Sequence, residues 1–155
     1  MNKTLRLIMC LTFTLSVGFL GGIATANSVK DWYVTLNKPI FNPPNYLFGP
    51  VWTLLYILMG VSFYLLLQEE KSNKRSIALI IFYLQLFLNF CWSFIFFNFH
   101  MLGFAFFEII LLWLTIVLMI VSFRKLNKIS AYLQIPYLLW VSFASILNGS
   151  IWLLN

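Results

Sequence analysis

Long apolar stretches alternate with short charged clusters from one end of the chain to the other. Five runs stand out, at residues 5–26, 47–67, 77–97, 102–123 and 130–153. Each is long enough to cross a bilayer core, which takes ~20 predominantly apolar residues as helix. Membrane β-strands would show short segments of alternating polarity instead. These runs are continuous and rich in Leu, Ile and Phe, so the pattern predicts helices. Between them lie a long first connection (27–46), a charged one (68–76), a very short one around His100, and a basic one (124–129). The expected architecture is an all-α integral membrane protein, a bundle of five transmembrane helices forming a single domain over residues 1–155.

Composition removes the alternatives. Hydrophobic residues make up 62% of the 155 residues and charged residues 9%, against roughly 45–50% and 25% in soluble proteins. The mean hydropathy is +0.92. A soluble catalytic domain, a nucleotide-binding domain and a DNA-binding module are excluded, so lipid is a partner and nucleic acid is not. The net charge of +6 then reads as a topology signal. Lys3, Arg6, Lys71, Lys74, Arg75, Arg124, Lys125 and Lys128 fall on one face of the membrane; only Lys30 and Lys38 fall on the other. By the positive-inside rule the first face is cytoplasmic. The expected location is the cell membrane, multi-pass, with the N-terminus inside and the first connection and C-terminus outside. Ala24-Thr25-Ala26 resembles a signal-peptide cleavage site, but the preceding run exceeds the usual 7–15-residue signal core, which favours an uncleaved span. Cys10 and Cys91 fall at different depths and are not expected to pair, because a disulfide needs Cα atoms within about 7 Å.

Helical spacing assigns faces. Trp52, Tyr56, Met59 and Phe63 form one stripe; Asn89, Trp92 and Phe96 form another; Trp140, Ala144, Leu147, Asn148 and Ile151 form a third. Hydrocarbon offers an amide no hydrogen-bond partner, so the Asn89 and Asn148 faces should point inward and carry their tryptophans with them. The polar groups gather in the outer half of the bundle. Aromatic walls with a few polar groups describe a small-molecule cavity. The plainer reading is that Asn89 and Asn148 bond one another or backbone across helices.

Other residues read more simply. Trp32, Tyr46, Trp113 and Trp152 suit interface anchors or lipid contacts. Glu108 is the one ionisable group buried within a span: a functional candidate, or an acid stabilised by the nearby helix N-terminus or held neutral. His100 fits a solvated turn better than a haem ligand. Thr14, Gly18, Gly22 and Ala26 form a small-residue stripe that admits a close neighbour, in the same chain or a second subunit. Neither a metal cluster nor a hydrolytic triad is visible.

The first connection carries prolines at 39, 43 and 44, with Pro50 just beyond, and aromatics at 32, 33, 41 and 46, with Phe48 following. It should form a stiff, aromatic-rich lid. With Trp32-Tyr33, Lys38-Pro39, Pro43-Pro44, Phe48-Gly49-Pro50-Val51-Trp52-Thr53, Tyr56, Asn89, Trp92-Ser93, Pro136-Tyr137, Trp140, Phe143-Ala144, Leu147-Asn148 and Trp152, the chain resembles the translocator protein family. That family is also called the tryptophan-rich sensory proteins or the peripheral benzodiazepine receptor. The resemblance implies a five-helix bundle, commonly a homodimer, with a pocket beneath the lid. It implies porphyrins, especially protoporphyrin IX, as ligands, along with hydrophobic isoquinoline carboxamides and benzodiazepines, and no required cofactor. Pocket positions carried over by it are Tyr33, Pro43, Phe48, Trp52, Tyr56, Asn89, Trp92, Ile109, Trp140, Ala144 and Leu147; Asn148 joins them from its stripe. Some bacterial members promote light-dependent porphyrin breakdown, and the tryptophans involved match Trp52 and Trp140. Two departures stand out. Phe41 replaces the family's usual Trp before the double proline. Gly149 and Leu153 replace the Tyr and basic residue of the sterol-recognition motif, which argues against sterol handling.

Three functions compete on this reading: a tetrapyrrole-binding sensor, scavenger or carrier, with Lys30 or Lys38 meeting ligand carboxylates; a porphyrin photo-oxidation enzyme using Trp52 and Trp140 as catalytic residues; and a transporter working through Glu108.

Overall fold

The computed structural model describes residues 2–155. In chain order it contains α1 (Lys3–Asp31), α2 (Phe48–Gln68), α3 (Asn73–Ser93), α4 (Leu102–Arg124), α5 (Lys128–Tyr132) and α6 (Ile135–Leu154). Two 3₁₀ turns, Tyr33–Thr35 and Asn45–Leu47, lie between α1 and α2, and a π-helical turn, Phe94–Asn98, extends α3. All regular structure among the described residues is helical, and five helical spans are long and apolar enough to cross a membrane. Several helices start at residues that satisfy otherwise orphaned N–H groups. The Asn2 side chain accepts from Thr4, Ser72 from Arg75, and Asn127 from Ser130.

Three boundaries differ from the sequence reading. α1 continues to Asp31, past the expected end at 26, so the lid shortens to 32–47. No proline intervenes before Pro39, and Ser28 holds the extra turn by donating its hydroxyl to the Phe97 carbonyl. The fifth span is two helices. α5 ends at Tyr132 and α6 restarts at Ile135, with Pro136 in its first turn, where a missing N–H costs no intrahelical bond. The third span ends as a π turn, closed by Phe99 N–H donating to the Phe94 carbonyl at 2.9 Å. The chain then reverses through His100, whose φ of 57° is left-handed.

α1 packs on α2 and α3, α3 on α4, α4 on α5 and α6, and α5 closes the ring on α2. Ser62 of α2 and Ser130 of α5 exchange hydroxyl-to-carbonyl bonds at that closure (2.8 and 2.9 Å). The end carrying the Lys/Arg-rich connections, the basic end, is densely filled. Met59, Leu66, Phe82, Ile116, Met119, Phe123 and Tyr137 are fully buried, and the Phe63 and Phe82 rings stack at 4.7 Å. α1 and α2 also meet tightly in this region. Thr14 Oγ1 donates to the Tyr56 carbonyl at 2.8 Å, and a Cβ on Gly60 would stand 3.0 Å from Leu11 Cα. Towards the other end, the lid end, these two helices diverge. A Cβ on Gly18 would lie 2.4 Å from the Tyr56 ring, whereas one on Gly22 would meet nothing within 4 Å.

The lid is braced from within. Lys38 Nζ donates to the carbonyls of Tyr33 (2.8 Å), Val34 (3.3 Å) and Leu36 (2.8 Å), and sits 5.1 Å from the Tyr33 ring centroid. Tyr33 donates its hydroxyl to Asn42 Oδ1 at 2.6 Å. Asn37 and Asn155 clasp the lid to the end of α6. Asn37 N–H donates to Asn155 Oδ1 and Asn155 Nδ2 to the Asn37 carbonyl, both at 3.0 Å.

Candidate functional site

A cavity of about 920 Å³ fills the space where α1 and α2 part, under the lid. That is near the upper end of small-molecule pockets, which run ~300–1,000 Å³. Its inner walls are aromatic. Trp52 lies against Tyr56 (5.8 Å between ring centroids), Trp92 stacks on Phe96 (5.1 Å), and Trp140 meets Phe48 edge-on (6.1 Å). Tyr33, almost completely buried, closes the lid side. Burial pushes its phenol up to about 12. The mouth is bounded by exposed residues of two helices: Phe19, Gly22 and Ala26 of α1 face Gly49 and Thr53 of α2. Lys30 and Tyr46 stand at its lid end.

The polar groups are few and mostly committed to each other. Tyr56 donates its hydroxyl to Asn89 Oδ1, and Asn89 Nδ2 donates to the Tyr137 hydroxyl at 2.9 Å, which ties α2, α3 and α6 together as the cavity floor. Trp92 Nε1 donates to Asn148 Oδ1 at 3.2 Å, and Asn148 Nδ2 donates to the Leu102 carbonyl at 3.0 Å. Asn89 and Asn148 thus point inward and bond across helices, each to an aromatic side chain and not to one another. Among the buried polar side-chain atoms of the lining, the Trp140 indole N–H has no partner among the described residues.

Of the twelve positions picked out in the sequence, ten line this cavity: Tyr33, Phe48, Trp52, Tyr56, Asn89, Trp92, Trp140, Ala144, Leu147 and Asn148. Two lie outside it. Ile109 is packed in the core between helices, and Pro43 is a half-buried lid residue whose carbonyl accepts from Asn42 Nδ2. Glu108 also lies outside, half-buried on α4, with both carboxylate oxygens covered and unpartnered. Lys38 is consumed by its three carbonyls, which leaves Lys30 as the cation at the cavity. Trp113, expected as an anchor or lipid contact, instead donates its N–H to Ser142 Oγ at 2.7 Å and links α4 to α6. Trp32 is half-buried, stacked 3.9 Å from the exposed His100 ring. Cys10 and Cys91 are unpaired.

The sequence reading did not assign α1 to the site. Gly18, Gly21, Gly22, Thr25 and Val29 all contribute lining. The small-residue stripe was the available signal, but it pointed to close packing. Thr14 and Gly18 do pack closely on α2, but at Gly22 smallness leaves room in the cavity.

A five-span helical bundle of this length and apolarity, here with an aromatic-walled cavity under a braced lid, is a multi-pass membrane protein. Residues 10–153 match the TspO/MBR family, and the chain belongs to that family. It is 42% identical to the tryptophan-rich protein TspO of Chlorobaculum tepidum, with 100% of this chain and 99% of that one covered. It is 33% identical to the translocator protein of Homo sapiens, covering 93% and 87% respectively. Identity to the tryptophan-rich sensory protein of Cereibacter sphaeroides is 32%, covering 94% and 90%.

Proposed function

We propose that the protein binds a flat, apolar tetrapyrrole of the protoporphyrin IX type in the cavity between α1, α2, α3 and α6, as a receptor or carrier, with its basic end in the cytoplasm. The observation that carries this reading is the cavity itself: about 920 Å³, walled by Trp52, Trp92, Trp140, Tyr33, Tyr56 and Phe48, with Lys30 among its lining. Aromatic faces suit a planar conjugated ligand by offset and edge-on contact. Lys30 supplies a charge for a peripheral carboxylate.

The test is a fluorescence titration of the detergent-purified protein with protoporphyrin IX. Binding should quench tryptophan emission, and Trp140→Phe should remove much of the quench. Lys30→Gln should weaken a dicarboxylic porphyrin while leaving its dimethyl ester unaffected. Unchanged quenching in Trp140→Phe would place the ligand elsewhere.

A second reading, light-dependent porphyrin degradation, is favoured by Trp52 and Trp140 both lining the cavity. Phe keeps the apolar contact but has no indole. The double variant Trp52→Phe with Trp140→Phe should hold porphyrin affinity within roughly tenfold, about 1.4 kcal/mol, and abolish protein-dependent bleaching. Parallel loss of binding and bleaching would reduce both tryptophans to pocket walls. The transporter reading through Glu108 has no comparable support, since that carboxylate is outside the cavity.

A further inference from the structure

Beneath the cavity floor the bundle interior does not become uniformly apolar. α3 and α6 both run from the basic end towards the lid end, and Asn89 and Tyr137 bond where they meet. One turn towards the basic end on the same two faces stand Gln85, four residues before Asn89, and Gln134, three before Tyr137. α2 runs the opposite way and brings the Leu58 carbonyl to the same layer, where it accepts from Gln134 Nε2 at 3.5 Å. One further turn along α2, Ser62 meets Ser130. Beyond that, Asn127 Nδ2 donates to Glu69 Oε1 at 2.8 Å at the basic edge. Polar groups therefore occupy successive layers from the floor to the basic face, and one of these layers alone holds buried side-chain atoms without a partner among the described residues.

The exception is the glutamine layer. Gln85 and Gln134 are both fully buried. Gln85 Nε2, Gln85 Oε1 and Gln134 Oε1 have no partner among the described residues. The Tyr137 hydroxyl above them accepts from Asn89, so its own proton remains to be donated. One donor and two acceptors from the amides, plus a phenol proton, match the needs of a buried water, which takes 2–4 polar partners. The mixture fits neither a cation, which has no use for the donors, nor an anion, which has none for the acceptors. An apolar occupant would leave all of them unsatisfied, at a cost no buried polar group escapes.

We infer that Gln85, Gln134 and Tyr137 form an internal water site beneath the cavity floor. The water fixes the direction of the hydrogen bonds above it. Tyr137 donates down to it and so accepts from Asn89 Nδ2; Asn89 Oδ1 then accepts from Tyr56, and the Tyr56 oxygen turns its free lone pair to the cavity. The floor presents an acceptor to any ligand. The site exists without ligand, so its test is independent of the porphyrin reading.

The chain contains three glutamines, Gln68, Gln85 and Gln134, of which Gln68 is exposed. In glutamine-labelled protein in lipid bilayers, the side-chain amides give three resolvable signals by solid-state NMR. Magnetisation transfer from water should reach Gln85 within roughly threefold of the Gln68 intensity. Gln85→Leu should remove one signal, which assigns it, and should shift the Gln134 amide, whose water it displaces. Water transfer to Gln68 with none to Gln85 overturns the site. An unmoved Gln134 signal in Gln85→Leu overturns the sharing of water between the two amides, and the site with it.

Discussion

Gly18 and Gly22 belong to one small-residue stripe on α1, yet the structure predicts opposite outcomes for the same added methyl. At Gly18 a Cβ would stand 2.4, 2.5 and 2.9 Å from three atoms of the Tyr56 ring. The ring is buried and its hydroxyl is bonded to Asn89, so it cannot swing aside without a loss. Overpacking of this kind costs typically ~1–3 kcal/mol, and orphaning the buried Asn89 oxygen adds ~1–3 kcal/mol if the ring moves. Replacing Gly by Ala in a helix interior returns about 1 kcal/mol. Gly18→Ala should therefore destabilise the fold by roughly 1–5 kcal/mol on these terms. Gly22→Ala meets nothing within 4 Å and should be neutral or more stable, while narrowing the cavity. Reversible unfolding in mixed micelles, followed by circular dichroism, measures both. Because the Gly18 cost resides in contact with one ring, Gly18→Ala combined with Tyr56→Leu should be less damaging than the sum of the two changes. Equal stabilities for Gly18→Ala and Gly22→Ala would refute the reasoning, since the divergence of α1 and α2 would then not lie between these residues.

Three further outcomes are expected. A reporter fused after Asn155 should be active outside the cytoplasm and one inserted at 68–76 should be active inside; the reverse pair would turn the bundle over in the membrane. Asn155→Ala removes both hydrogen bonds of the clasp on Asn37, so the lid should exchange its amide hydrogens and bound ligand severalfold faster, with fold stability lowered by ~1 kcal/mol or less; unchanged exchange would show that the clasp does not hold the lid. The Tyr33 phenol holds its proton more tightly in the folded lid than unfolded, so the lid's contribution is complete below about pH 10 and declines as pH rises towards 12, where the folded phenol ionises. Tyr33→Phe should abolish that decline in a phenolate absorbance and amide-exchange titration, and a decline that persists belongs to another group.

The spans were legible because membrane solvation acts on long runs, where single residues matter little. Positions at their ends were less so. α1 outlasts its apolar run because Ser28 finds a carbonyl on α3, a tertiary bond with no local signature. The break before α6 was announced by Pro136, but an apolar count passes straight over it. The inward faces of α2, α3 and α6 were readable from their amides and tryptophans at helical spacing. α1 carries neither at its cavity face, and small residues signal a close neighbour and an open space alike. Ile109 and Pro43 were carried by resemblance alone, and resemblance transfers position along the chain without transferring which atoms reach the cavity. Asn89 bonds phenols on α2 and α6, and Asn148 bonds an indole on α3 and a carbonyl on α4, partners set by how the ring of helices closes and not by spacing on any one of them.

The cavity mouth between Phe19, Gly22 and Ala26 on one helix and Gly49 and Thr53 on the next lies between two helices long and apolar enough to cross a membrane, so a lateral opening there would meet hydrocarbon. A ligand entering there arrives dissolved in the bilayer, not in water. Its relevant concentration is a mole fraction in lipid, set by its partition coefficient, and its search is a two-dimensional one. A sparingly soluble molecule can thus saturate the site at vanishing aqueous levels. Dissociation constants stated per litre of buffer will vary with the amount of lipid or detergent present, while those stated per lipid will not.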